Sequence, residues 1–175
     1  MRFKEWDKTK DEFDDCKLAS NNNEDAFNFL IQQGYCIRVI DDFYDEDKPV
    51  TKEEIFDVFE LLFSVIPSNP FYQKYIKELG SLSTLSWEAW KDSNRLCKGS
   101  STDKIYAHVY RDQIELIIPL VALLTQGYEK MVEVRKEQEH LFSDKWIKSL
   151  FPEEFKKIYV NDNINTEDLK NDDNL

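Results

Sequence analysis

Apolar positions recur with a helical period through most of the chain, and nowhere do they alternate with period two between hairpin turns. From Glu24 onward, Phe27, Leu30 and Ile31 share one stripe. Beyond Gly34 the set Cys36, Val39, Ile40 and Phe43, at i, i+3, i+4 and i+7, moves to another face. Thr51 and Glu54 have the spacing of a capping box, which predicts a helix over 52–66 stopped by Pro67. Asn69-Pro70 opens a short helix through Phe71, Tyr72, Tyr75 and Ile76, with Gly80 as its C-terminal cap. Further helices are predicted over 85–98, ending at Gly99, and over 103–126, capped by Thr102 and stopped by Gly127. Two more are expected over 128–142 and over 143–159, the last interrupted by Pro152.

Wheel arithmetic at about 100° per residue separates central helices from peripheral ones. In 52–66 the apolar side chains cover roughly 220° of the wheel, and Glu53, Asp57, Glu60 and Ser64 hold a narrow wet strip. That helix is expected to pack on at least two sides. The half of 103–126 that follows Ile114 is apolar nearly all round, and Pro119, which frees the carbonyl of Glu115, predicts a kink. These two helices are the expected centre.

Composition supports an all-α reading: four Gly and five Pro in 175 residues are too few for a turn-rich β fold. The expected architecture is a compact bundle of about six helices in one domain over 24–160. A polar N-terminal segment, 1–23, precedes it, with a loop at Ser20-Asn21-Asn22-Asn23. An acidic tail, 161–175, is too poor in apolar residues to order itself. Cys16, Cys36 and Cys97 form no C-x-x-C pair, which fits free thiols in a reducing cytosol. The segment Met1 to Asp7 lacks the apolar region of a signal peptide, and the longest apolar run, 116–124, is too short to span a bilayer. A cytoplasmic location is expected.

The net charge is −12, so a direct grip on nucleic acid is disfavoured by the field of the whole molecule. Charge is concentrated: residues 41–60 hold nine acids against Lys48 and Lys52, a local balance of −7. The candidate binding surface is Asp41, Asp42, Asp45, Glu46, Glu53, Asp57 and Glu60. The Asp-Asp-x-x-Asp spacing of Asp41, Asp42 and Asp45 is also one that divalent-metal helices use, since i and i+4 carboxylates share a face. The plainer reading is a solvated face opposite Cys36, Val39, Ile40 and Phe43.

His108, Asp112 and Glu115 share a flank of the long helix beside Arg111. Together with Asp41, Asp42 and Asp45, His108 and Asp112 make an alternative ligand set for Mg or Mn in a metal-dependent phosphohydrolase. Ion pairing of Arg111 with Glu115 and of His108 with Asp112 is the simpler expectation. Trp87, Trp90, Asn94 and Cys97 form a stripe read as core, with Asn94 bonding a neighbouring backbone. Glu88, Lys91, Asp92 and Arg95 read as solvated ion pairs on the opposite face. Phosphate-binding loops, H-E-x-x-H and G-x-S-x-G are absent from the sequence.

The run Asp41-Asp42-Phe43-Tyr44-Asp45-Glu46-Asp47-Lys48-Pro49-Val50-Thr51, followed by Ile66-Pro67-Ser68-Asn69-Pro70-Phe71-Tyr72, resembles small helical proteins encoded by tailed phages. Trp87 and Trp90, Ala107-His108-Val109-x-Arg111 and Ala122-Leu123-Leu124-Thr125-x-Gly127 are similar as well, so the likeness covers about residues 37–128. The absence of a second Gly after Gly127 and the acidic enrichment are departures. The resemblance implies a phage setting and a helical fold, with no catalytic residues to carry over. The expected function is protein–protein binding through the acidic surface, with no resident cofactor, against a basic or nucleic-acid-binding surface of a host or phage protein. A homo-oligomer packed through exposed Phe71, Tyr72 and Tyr75 is a further expectation.

Overall fold

The first helix, α1 (Lys10–Ser20), falls in the stretch read as polar, yet Cys16, Ala19 and Ser20 are buried. A computed structural model describes residues 10–46 and 48–138, and every element among them is helical. The predicted helix over 143–159 and the tail 161–175 lie outside the described residues. The described residues divide into two compact units, 10–87 with 114–137, and 88–113 with 138.

In the first unit, Asn21 and Asn22 take left-handed backbone angles and turn the chain. Asn23 then caps α2 (Glu24–Asp45) by accepting the Ala26 N–H. Helix α2 is continuous, but its buried stripe does shift past Gly34, from Ala26, Phe29, Leu30 and Gln33 to Tyr35, Cys36 and Val39. The Thr51–Glu54 capping box starts α3 (Lys52–Glu60), as its spacing predicts: Glu54 N–H donates to Thr51 Oγ1 at 3.2 Å, and Thr51 N–H donates to Glu54 Oε2 at 2.7 Å. The ladder then widens into a π turn, Leu61–Val65, closed by Ile66 N–H to the Leu61 carbonyl at 2.9 Å.

Asn69 caps the short α4 (Pro70–Lys74) and ties it to α2 by donating from Nδ2 to the Asp25 carbonyl at 2.9 Å. Gly80 does not end a helix, because α5 (Ile76–Leu96) runs through it in place of the predicted helix over 85–98. The helix over 103–126 is also divided. Ser100, rather than Thr102, caps α6 (Ser101–Arg111) in a box with Asp103, and a 3-10 turn, Asp112–Leu116, precedes α7 (Ile117–Gln126). Pro119 explains the break. It cannot donate to the Glu115 carbonyl and its ring crowds that carbonyl, so the α-ladder stops ahead of it and restarts with proline in a first turn. Gly127, at φ 94°, ends α7 and leads into α8 (Tyr128–Glu137).

Helix α7 is central as expected: Ile117, Ile118, Pro119, Val121 and Ala122 are buried, with α1, α2 and α8 packed around it. Its last turn also satisfies the end of α1. Thr125 Oγ1 donates to the Ala19 carbonyl at 2.7 Å, and Gln126 Nε2 donates to the Leu18 carbonyl at 2.9 Å. Phe71, Tyr72 and Tyr75 are not the exposed aromatics the sequence suggests. Phe71 is buried and the two tyrosines are half-buried. Phe29 stacks on Tyr72 at 5.6 Å and lies 6.3 Å from Phe71, and the Tyr75 hydroxyl donates to the Leu124 carbonyl.

The expectation for 52–66 is half reversed. Val58, Leu61 and Ile66 are buried and Ile55 and Val65 half-buried, whereas Phe56, Phe59, Leu62 and Phe63 are exposed. Phe29→Ala should therefore cost about 3–5 kcal/mol of unfolding free energy, whereas Phe63→Ser should cost under about 0.5 kcal/mol. Urea unfolding of the two variants checks this; equal losses would mean that the phenylalanine face is packed.

Candidate functional site

The acids singled out in the sequence lie on the end of α2, the loop that follows, and α3. Asp41, Asp42 and Asp45 occupy the last turns of α2 and are half-buried, while Glu46 is its left-handed C-cap, at φ 58°, and is exposed. They do not lie opposite a buried Phe43, because Phe43 is 64% exposed and its neighbour Tyr44 56%. The last turn of α2 holds no basic residue. Carboxylates there face the negative end of the helix dipole, which disfavours them by about 0.3–1 kcal/mol each. A concavity of about 500 Å³ opens at the same place, lined by Phe43, Tyr44, Pro49 and Val50 with Asp42, Glu46 and Lys48.

On α3, Glu53 and Glu60 are exposed and Asp57 is half-buried. The π turn gives this segment its two-sidedness. Its extra residue brings Ile66 under Leu61, whose carbonyl accepts the Ile66 N–H. Phe63 lies one turn beyond Phe59, with ring centroids 5.8 Å apart and planes 10° from parallel. Phe56 and Phe63, 71% and 76% exposed, border the strip of Glu53 and Glu60. These phenylalanines are the functional candidates that the wheel misassigns to the core. A signal was available: all three fall within about 60° of one another, apart from the aliphatic Val58 and Leu61.

Tyr35 on α2 senses this region. Burial, and then the carboxylates of Asp57 and Glu54, push its phenol up to about 12. Burial likewise pushes the Cys36 thiol up to about 12, so it is an inert core group.

In the second unit, the 88–96 part of α5 carries the expected ion pairs, Lys91 to Glu88 at 2.6 Å and Arg95 to Asp92 at 2.7 Å. Trp90 is buried, but Cys97 is exposed. Asn94 does not bond a backbone group; its Oδ1 accepts from Arg111 Nη2 on α6 at 2.7 Å. His108 is buried with Nε2 3.5 Å from Asp112 Oδ2, too long for a strong hydrogen bond, and burial pulls its imidazole below the usual range. Among the described residues, no three or more His, Cys, Asp and Glu side chains are grouped so as to hold a metal ion. The ligand set Asp41, Asp42, Asp45, His108 and Asp112 thus gains no geometric support. No described helix is long and apolar enough to cross a membrane.

No family model matches the chain, and neither a curated protein nor a solved structure matches it.

Two pH effects follow. Tyr35 is held protonated in the fold, so its contribution to stability is full below pH 10 and is lost as pH rises through about 12. A tyrosinate absorbance titration, differenced against Tyr35→Phe, should show that late step, and Asp57→Asn should move it down. His108 is held neutral, so stability should be intact above pH 6.5 and fall as pH drops below it. Thermal unfolding between pH 7 and 5 checks this, with a flatter profile expected for His108→Gln.

Proposed function

We propose that this chain is a small acidic accessory protein, of the tailed-phage kind its sequence resembles, that works by docking onto a basic protein surface. That surface is one that otherwise takes nucleic acid, because a carboxylate-rich face competes for the same cationic groups. The observation that carries the reading is the exposed composition of two elements that pack against each other. Glu46, Phe43 and Tyr44 at the end of α2, and Glu53, Glu60, Phe56, Phe59 and Phe63 on α3 and the π turn, all stand in water. Carboxylates alone would serve solubility, and isolated exposed apolar residues need no explanation. Several large aromatics bordered by like charge have the make-up of an interface, with aromatic anchors inside a charged rim.

The charges and the rings divide the work. Long-range attraction speeds encounter with a cationic surface and falls with salt, whereas buried aromatic area slows dissociation.

The test is capture from a bacterial lysate, identification and purification of the captured protein, and kinetics against ionic strength. The expected partner is basic. The triple variant Glu46→Gln/Glu53→Gln/Glu60→Gln should slow its association about tenfold or more at low salt and less at high salt. An acidic partner, or capture by the variant that is unchanged at low salt, would overturn the reading.

A further inference from the structure

We propose that the row Phe56, Phe59 and Phe63, bordered by Glu53 and Glu60, is the seat for a basic amphipathic helix of the partner protein. This rests on the reading of the acidic face as a docking surface and names what that face holds.

The row is a helical ridge about 10 Å long, since seven residues separate Phe56 from Phe63 at about 1.5 Å each. Leu62, also exposed, extends the apolar surface to one side. A ridge of this kind is matched by the groove between side-chain rows of another helix, in the way helices pack within proteins. No strand edge exists among the described residues to recruit an extended peptide instead. The row runs into the π turn Leu61–Val65, and π turns inside α-helices recur at functional sites.

Charge selects the occupant. From Pro49 to Gln73 the only basic residue is Lys52, against Glu53, Glu54, Asp57 and Glu60. A second copy seated on this face about a two-fold axis would set these carboxylates against their own counterparts. An anionic bilayer or a nucleic acid would meet the same repulsion. A helix with apolar residues at i, i+3, i+4 and i+7, and Lys or Arg along the flank that meets Glu53 and Glu60, satisfies both the ridge and its border.

The experiment uses the full chain and three synthetic peptides of about five helical turns: an amphipathic Leu/Lys helix, a Leu/Glu helix of the same pattern, and a scrambled Leu/Lys peptide. Binding is read by calorimetry, peptide helicity by circular dichroism, and the state of the protein by sedimentation. The wild type should bind the patterned Leu/Lys peptide and raise its helicity, and should bind the other two at least about tenfold more weakly, about 1.4 kcal/mol. Phe56→Ser/Phe63→Ser should weaken that binding about tenfold or more at both low and high salt while the protein stays folded. Glu53→Gln/Glu60→Gln should weaken it at low salt only, and Tyr128→Ser, an exposed aromatic elsewhere in the first unit, should leave it unchanged.

A phenylalanine variant that binds like wild type, with the glutamate variant impaired, would overturn the aromatic seat and leave the electrostatic reading standing. Equal binding of the scrambled peptide, or no binding of the patterned one, would also overturn it. A wild-type dimer that the phenylalanine variant dissociates would show the row to be a self-contact, which overturns it too. Loss of effect from both variants would remove this inference and the proposed function together.

Discussion

Helix α7 has almost no polar residue to offer water between Ile117 and Leu124, and the arrangement of the first unit follows from covering it. Three helices share that task. Helix α1, whose sequence is mostly charged, supplies Cys16 and Ala19 as small side chains that let the backbones approach, and the end of α7 returns Thr125 and Gln126 to the carbonyls that α1 leaves unbonded. Helices α2 and α8 pack on α7 as well. Pro119 makes this possible by forcing the preceding turn out of the α-ladder, so that α7 starts afresh and takes its own direction.

With α7 covered by these three helices, α3 is left at the periphery. It docks through the aliphatic side of Val58, Leu61 and Ile66 and leaves three phenylalanines in water. The π turn reconciles the two sides, since one extra residue in a single turn brings Ile66 under Leu61 on the buried face. That exposed apolar surface contributes nothing to folding, and large aromatic rings left in water beside carboxylates are the physical basis of the proposed docking role.

The charge pattern constrains what can pack on this face, because two copies joined through the phenylalanine row would set like carboxylates against each other. The half-buried polar contacts of the second unit are of a different kind. Arg111 and Asn94 hold α6 to α5, and His108 sits uncharged in a site that burial makes hostile to its protonated form.

Much was legible in the sequence because it is local. Thr51 and Glu54 form the predicted capping box, Asn69-Pro70 opens a helix, Gly127 ends one, and the shift of the apolar stripe at Gly34 appears as a change of buried face. Caps and periodicity depend on neighbours within a turn or two, and those neighbours are in the sequence. The helix α1, the run of α5 through Gly80, and the inward packing of Phe71, Tyr72 and Tyr75 were not legible, because each depends on which surface lies opposite. The sequence by itself determined an all-helical chain with its acids gathered over 41–60. Only the tertiary structure decided which side of α3 is core. A wheel reports that an arc is apolar, but burial requires a partner surface, and α7 had already taken its partners.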